Sequence, residues 1–407
     1  MSERLVSGYC DPKFAAIEEQ LSRAIESGFD TGASVAIEYQ GEMVVNLWGG
    51  HKDRQKTQPW LEDTIVNVFS TTKAITATCI LQLIERGKLD LNAPVSDYWP
   101  EYGCQGKEAT KVSDFMCHRA AMHGFQGTFP QFDYRDWDKW TEALAAQAPF
   151  RTPGTTQGYH ALTYGWLVGE LIRRVDGRST GTYFREEIAE PLGLDFHIGL
   201  DDAAIARCGD ILVDPQPKPW ALMVLTLVPD LLLPAQLRHV KKFLRMGDMK
   251  VAFSSKANSP EGIEMNTEEW RQAEIPSANG HGTAAALAKL FGVLSTGTGG
   301  ERDGHKILDP ATLKLATTPL SEGPDTVIFG APIRFGVGYD LGLGTTTIGA
   351  APHPERLFGH CGVGGTVAFG DPEHGLGYGF LCNRMHNPKT LYKTSNQLTK
   401  TLLDIVS

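Results

Sequence analysis

Cysteine is present without pattern. The seven residues, at positions 10, 79, 104, 117, 208, 361 and 382, are odd in number and include no C-x-x-C pair. That argues against a disulfide framework or a structural zinc site and for a reducing compartment. The 12 histidines are scattered too, with no H-E-x-x-H to hold a catalytic metal. Basic residues are outnumbered, 38 Lys and Arg against 48 Asp and Glu, for a net charge of −10. A sequence-independent nucleic-acid surface is thereby disfavoured. The richest apolar stretch, Trp220 to Leu233, is interrupted by Pro229 and Asp230, and Pro234 ends it. It is too broken for a membrane span, and no membrane partner is expected. Met1-Ser2-Glu3-Arg4-Leu5 offers no basic n-region leading into an apolar h-region, so a cytoplasmic location is expected. No G-x-S-x-G, G-x-G-x-x-G or Walker lysine loop occurs. Those absences weaken α/β-hydrolase, dinucleotide and nucleotide readings.

What remains is an ordinary globular composition, 42% apolar and 21% charged over 407 residues. The length implies two lobes or one large domain. The most informative stretch is Val66-Asn67-Val68-Phe69-Ser70-Thr71-Thr72-Lys73. An extended apolar run reaches Ser70, and a helical pattern continues through Ala77, Ile80, Leu81, Leu83 and Ile84 to a glycine stop at Gly87. Residues three apart share a helix face, so Ser70 and Lys73 present a hydroxyl and an amine together. A desolvated lysine is a base able to activate a serine, and the helix N-terminus adds free N–H groups and positive potential beside it. S-x-x-K alone is weak, since on the order of one or two matches arise by chance in such a chain. Its context and two further constellations carry the weight.

Before it, Phe14, Ile17, Leu21 and Ile25 form one helical stripe ended by Gly28, and Ala33–Tyr39 with Glu42–Trp48 read as a hairpin about Gln40-Gly41. After it, residues 111–124 suggest a short helix, where His118 and His123 read as structural rather than catalytic. Arg151-Thr152-Pro153-Gly154 then forms a turn delivering Tyr159 ahead of a helix with Leu162, Trp166, Leu167, Leu171 and Ile172. A serine–lysine pair needs a third group to protonate the leaving alkoxide and later activate water. A phenol whose pKa is lowered by a cationic lysine would serve. Residues 213–260 change composition and read either as a buried helical hairpin or as a flap over an acyl pocket. Asn258–Gly262 reads as an exposed loop, and the glycines around His281 suggest a tight turn. A helix over Ala284–Leu294 follows, then strands over Phe335–Leu341, Arg356–Cys361, Gly365–Gly370 and Gly377–Cys382, and a final helix over Lys389–Ile405. The third constellation, Gly359-His360-Cys361-Gly362-Val363-Gly364-Gly365, is a glycine-rich edge able to approach a substrate closely and offer a backbone N–H to an oxyanion.

Taken together these blocks resemble the serine β-lactamase/penicillin-binding-protein superfamily, and within it the class C β-lactamase-like family VIII carboxylesterases. The matching blocks are Phe69-Ser70-Thr71-Thr72-Lys73, Gly87-Lys88-Leu89-Asp90-Leu91, Pro153-Gly154-Thr155 with Tyr159, Asn279-Gly280-His281-Gly282-Thr283, the 358–365 strand, and Asp371-Pro372 through Asn383-Arg384-Met385. The resemblance implies an α+β sandwich, an antiparallel sheet flanked by helices with an inserted mainly helical lobe. It places residues 1–68 and 275–407 in a discontinuous α/β domain, and 69–274 in a helical domain holding the Ser70 helix and a flap-like 213–260. It implies Ser70 as nucleophile, Lys73 as base and Tyr159 as the tyrosine of the Y-x-N/S element. His360-Cys361-Gly362 takes the place of the K-T-G strand, and the oxyanion hole falls to the N–H groups of Ser70 and Val363. Two departures stand out: Ala161 replaces an asparagine, and His360 replaces a lysine. A β-lactam's carboxylate would meet a largely neutral imidazole and a thiol where the family has a fixed cation. The expected activity is therefore hydrolysis of short- to medium-chain carboxylic esters through an acyl-enzyme, on a small-molecule substrate, with no metal and no organic cofactor. A β-lactamase, D-amino-acid peptidase or acyltransferase is the alternative on the same scaffold, a non-catalytic relative the rival. Homo-oligomerisation is left open.

Overall fold

The computed structural model describes residues 5–214, 224–225, 227–234, 237–238, 241–242, 245, 247–256, 263–296, 301–302, 304–341, 355–387 and 390–407. The loop expected at Asn258–Gly262 and the expected start of the final helix at Lys389 lie outside them.

The core of the architecture is a nine-stranded sheet in which every neighbouring pair is antiparallel. Its strands are β1 (Val6–Cys10), β2 (Gly32–Tyr39), β3 (Glu42–Gly50), β4 (Ser321–Pro324), β5 (Pro332–Phe335), β6 (Asp340–Leu341), β7 (Phe358–Cys361), β8 (Val367–Asp371) and β9 (Leu376–Cys382). Their order is β1-β3-β2-β9-β8-β7-β6-β5-β4, so the two ends of the chain meet where β2 pairs with β9. Gln40 and Gly41 both have positive φ, 52° and 89°. That is the two-residue turn whose twist suits a hairpin, as the sequence implied. The stretch expected as one strand over Phe335–Leu341 is instead the short pair β5 and β6, with Phe335 opposite Asp340 and Gly338 at φ 77° turning the chain back.

Both sheet faces are covered. Ala33, Val35 and Ile37 of β2 share a core with Leu376, Tyr378 and Phe380 of β9, beneath helices α1 (Ala15–Glu26) and α5 (Lys393–Val406). The α1 stripe Ile17, Leu21 and Ile25 is buried there, as its spacing required. The opposite face packs on α4 (Ala284–Ser295). Alternation leaves Gly377 and Gly379 on that side, and a methyl on Gly377 would collide with the Ala288 carbonyl and the Gly292 backbone. The glycines let α4 lie directly on the sheet.

Helices α2 (Thr72–Glu85) and α3 (Thr163–Asp176) pack against each other under the same core. Gly87, at φ 69°, ends α2 while the Lys88 N–H returns to the Leu83 carbonyl at 2.9 Å. More than one face of α2 is enclosed: Thr72 through Leu83 are all buried. Its threonines survive burial by bonding outward, Thr76 Oγ1 to the Pro276 carbonyl at 2.6 Å and Thr78 Oγ1 to the Tyr339 hydroxyl at 2.8 Å. His281 is not in a tight turn. Gly280–Gly282 is the middle strand of a three-stranded sheet, between Val66–Asn67 and Phe196–Ile198. Its glycines make room for the Phe196 ring, which a side chain on either would strike.

Candidate active site

Ser70 lies in a 3-10 turn, Phe69–Thr71, that feeds α2, so the hydroxyl stands at a helix N-terminus. The preceding Phe69 holds φ at 50°, a left-handed conformation that costs a phenylalanine on the order of 1–3 kcal/mol and persists only under packing pressure. The pressure comes from the 362–366 loop. Gly364 lies under the Phe69 ring, Gly362 lies against the Val68 carbonyl, and Thr366 Oγ1 donates to that carbonyl at 2.8 Å. The glycine-rich edge therefore fixes the approach of the chain to Ser70, a role for Phe69 that sequence reading missed. The signal available was the alternation of glycines at 362 and 364.

Lys73, one turn on, is completely buried, with its Nζ 3.2 Å from Ser70 Oγ. Its other hydrogen bonds run to two carbonyls, Ala161 at 2.8 Å and Ser277 at 2.9 Å. Burial pushes its pKa well below the ordinary 10.5, so the neutral amine, a proton acceptor, is favoured. The loss of asparagine at position 161 therefore leaves a backbone contact to the lysine intact.

Tyr159 sits just ahead of α3, its ring 4.8 Å from the Lys73 amine and its hydroxyl within hydrogen-bonding reach of Ser70. Its phenol is not acidified, contrary to the expectation from sequence. Burial raises its pKa well above 10, and the hydrogen bond with Ser70 offsets only part of that rise. The backbone on either side of Tyr159 is clamped by His118: the Gly158 N–H donates to the His118 carbonyl at 3.0 Å, and the His160 N–H to its Nδ1 at 3.1 Å. His160 Nε2 in turn accepts from the Met122 N–H at 3.0 Å. His118 is thus structural, its ring accepting a backbone N–H. His123 stacks on Phe150 and faces Asp248 at 3.7 Å, also away from a nucleophile's role.

On the far side, β7 brings His360 to the group, its ring 6.1 Å from that of Tyr159. Burial first and the nearby Lys73 second push its pKa down to about 3, so the imidazole is neutral. Its Nδ1 bonds the Cys361 carbonyl at 2.8 Å. The buried Cys361 is also flanked by Tyr392 at the start of α5, whose phenol is raised by burial and by the thiol. Tyr392 carried no sequence signal. Val363, 39% exposed, shares with Ser70 a cleft of about 210 Å³ whose other walls include Leu162, Phe253, Met265 and Trp270, with one carboxylate, Glu264. Larger clefts of about 480 and 590 Å³ elsewhere do not reach Ser70. Lys73, Tyr159 and Val363 thus stand around the Ser70 hydroxyl, with His360 beside Tyr159.

A hydroxyl served by a buried amine and opening on a mainly apolar cleft belongs to acyl-transfer chemistry, and the class is that of serine hydrolases. A family model described as Beta-lactamase matches residues 21–399, and the chain belongs to that family. It is 34% identical over 389 residues to the esterase/beta-lactamase LipL of Mycobacterium tuberculosis, covering 95% of this chain and 84% of the relative. A solved penicillin-binding protein homologue from Caulobacter crescentus superposes with a TM-score of 0.82 at 35% identity, covering 98% of this chain and 99% of that one. A family VIII carboxylesterase superposes with a TM-score of 0.80 at 32% identity, covering 97% and 99%. The resemblance, the antiparallel sheet flanked by helices and the hydrolase assignment are borne out together. The chain is an esterase-like serine hydrolase. Among its described residues no helix is long and apolar enough to cross a membrane.

Proposed function

We propose that the protein is a carboxylesterase cleaving short- to medium-chain esters through an acyl-enzyme on Ser70. The observation that carries this is Lys73: completely buried, 3.2 Å from Ser70 Oγ, and bonded otherwise to carbonyls alone. Its neutral amine takes the Ser70 proton as the oxygen attacks the ester carbonyl. The backbone N–H groups of Ser70 and Val363 receive the developing oxyanion. The C–O bond to the alcohol then breaks, and the Tyr159 phenol delivers its proton to the departing alkoxide. The resulting phenolate is stabilised by the lysinium formed in the first step. It next removes a proton from water, whose oxygen attacks the acyl-enzyme; the serine oxygen leaves and recovers its proton from Lys73.

A neutral ester suits the cleft. Its walls are mainly apolar, and the position that would need a cation to hold a carboxylate bears the neutral His360. The decisive experiment is hydrolysis of p-nitrophenyl butyrate by the wild type and Ser70→Ala, with a cephalosporin alongside. Loss of ester turnover with the serine and slow cephalosporin turnover are expected. Turnover unchanged in Ser70→Ala would sink the nucleophile assignment, and cephalosporin rates rivalling the ester would promote the β-lactamase alternative.

A further inference from the structure

Outside the catalytic group the most unusual surface is the described part of residues 224–253. Five Lys and Arg (238, 241, 242, 245 and 250) stand there against two Asp (230 and 248), a balance of +3 in a chain whose net charge is −10. The buried-hairpin reading fails for the described part of this region, because three of its leucines face outward while Leu233 is buried: Leu227 is 82% exposed, Leu231 92% and Leu232 71%. Val224, Leu237 and Met249 are exposed as well. Soluble proteins seldom display such clustered apolar groups without a partner for them. Exposed cations follow the leucines along the chain, namely Arg238, Lys242, Arg245 and Lys250.

The leucines are held out by a defined local structure. Asp230–Leu232 is a single 3-10 turn between Pro229 and Pro234. The buried Lys241 braces it from beneath, pairing with Asp230 at 2.6 Å. The other end is tied to the body: the buried Asp248 pairs with Arg151 at 2.7 Å, and Val251 packs on Gly124. Phe253, the next turn along, is a wall of the Ser70 cleft. The apolar, cationic surface thus runs to the mouth of the active site.

We propose that this face docks the protein on an anionic lipid surface. Leucines so nearly free of neighbours form a convex tip, which enters a fluid acyl layer without needing a complementary pocket. A folded protein partner would have to supply that pocket. Cations placed beside an inserting apolar group then meet lipid phosphates, which favour them near an anionic surface. No crossing of the bilayer is involved, and the acidic remainder of the chain keeps the rest of the molecule off the surface. Attachment in this orientation brings the Ser70 cleft to the interface. It goes beyond the ester reading and does not depend on it.

Co-sedimentation of the full chain with phosphatidylcholine vesicles, and with the same vesicles carrying phosphatidylglycerol, tests the proposal without any enzymatic readout. Binding to the anionic vesicles is expected to exceed that to neutral ones by about tenfold or more at low salt, and to fall as salt rises. Leu227→Ser/Leu231→Ser/Leu232→Ser and, separately, Arg238→Gln/Lys242→Gln/Lys250→Gln should each reduce it by about tenfold or more, with unchanged thermal midpoints because the groups are exposed. Failure of the wild type to bind either vesicle overturns the proposal, as does equal binding to both. A concentration-dependent dimer that the leucine variant dissolves, without vesicle binding, assigns the face to a second copy of the chain instead.

Discussion

The amine of Lys73 lies 3.2 Å from the hydroxyl of Ser70 in a position sealed from solvent. Burial favours the neutral, basic form of the lysine, and the 3-10 turn leading into α2 sets the hydroxyl on the cleft. Lys73→Ala is accordingly expected to lower kcat for p-nitrophenyl butyrate by about 10³-fold with a preserved far-UV spectrum. Near-normal kcat in that variant removes the lysine from the chemistry.

The pH profile follows with a definite sign. Only the deprotonated amine accepts a proton, and a pKa held well below 10.5 keeps that form populated to lower pH. The kcat/KM for a neutral ester should rise with pH and reach its plateau well below pH 10.5. His360, pushed down to about 3, is already neutral across that rise. The limb should therefore persist in His360→Gln, and its disappearance there would assign it to the imidazole.

Tyr159→Phe keeps the ring between His118 and Phe335, 4.8 Å and 6.3 Å away, and removes only the hydroxyl. It should lower kcat by about 10²-fold with KM little raised. If water activation is the slower half, acyl-Ser70 will accumulate and be visible by intact-protein mass spectrometry; unchanged turnover would exclude the phenol as the proton carrier.

His360→Lys puts a fixed cation in place of the neutral imidazole on this strand. Turnover of a carboxylate-bearing cephalosporin should rise by about tenfold while that of the neutral ester does not. A parallel gain or loss on both substrates would show that position 360 does not read the carboxylate.

Gly364→Ala touches no substrate in the proposed mechanism, but a methyl there runs into the ring of Phe69, the residue held at φ 50° beside the nucleophile. Displacement of Ser70 by a fraction of an ångström to an ångström should cost up to about 10²-fold in kcat. Equal activity and an equal urea midpoint would mean that the loop yields without moving the serine.

Local pattern made several parts of this protein legible. Spacing along Ser70, Lys73 and the leucines to Gly87 defined α2, and Gln40-Gly41 marked the hairpin, because helix periodicity and positive-φ turns are properties of neighbouring residues. The order of motifs along most of the chain also disclosed the family. Several features were not local. His281 has glycines on both sides, which in sequence signify a turn; in the fold they clear space for Phe196, 85 residues away in the case of His281 itself. The Phe335–Leu341 run concealed a reversal at Gly338.

The sequence by itself determined which groups are available for chemistry: one hydroxyl with one amine a helical turn away, a tyrosine at a helix entry, and a glycine-rich strand bearing a histidine. Only the tertiary structure decided their ionisation and their aim. Enclosure favours the neutral forms of both Lys73 and Tyr159 because it removes the water that would solvate their charged forms, and enclosure is built by distant segments. The direction of Ser70 depends on Gly362 and Gly364, almost 300 residues further along the chain, pressing on Val68 and Phe69. A chemical inventory is written in one dimension; desolvation and contact are set by what folds around it.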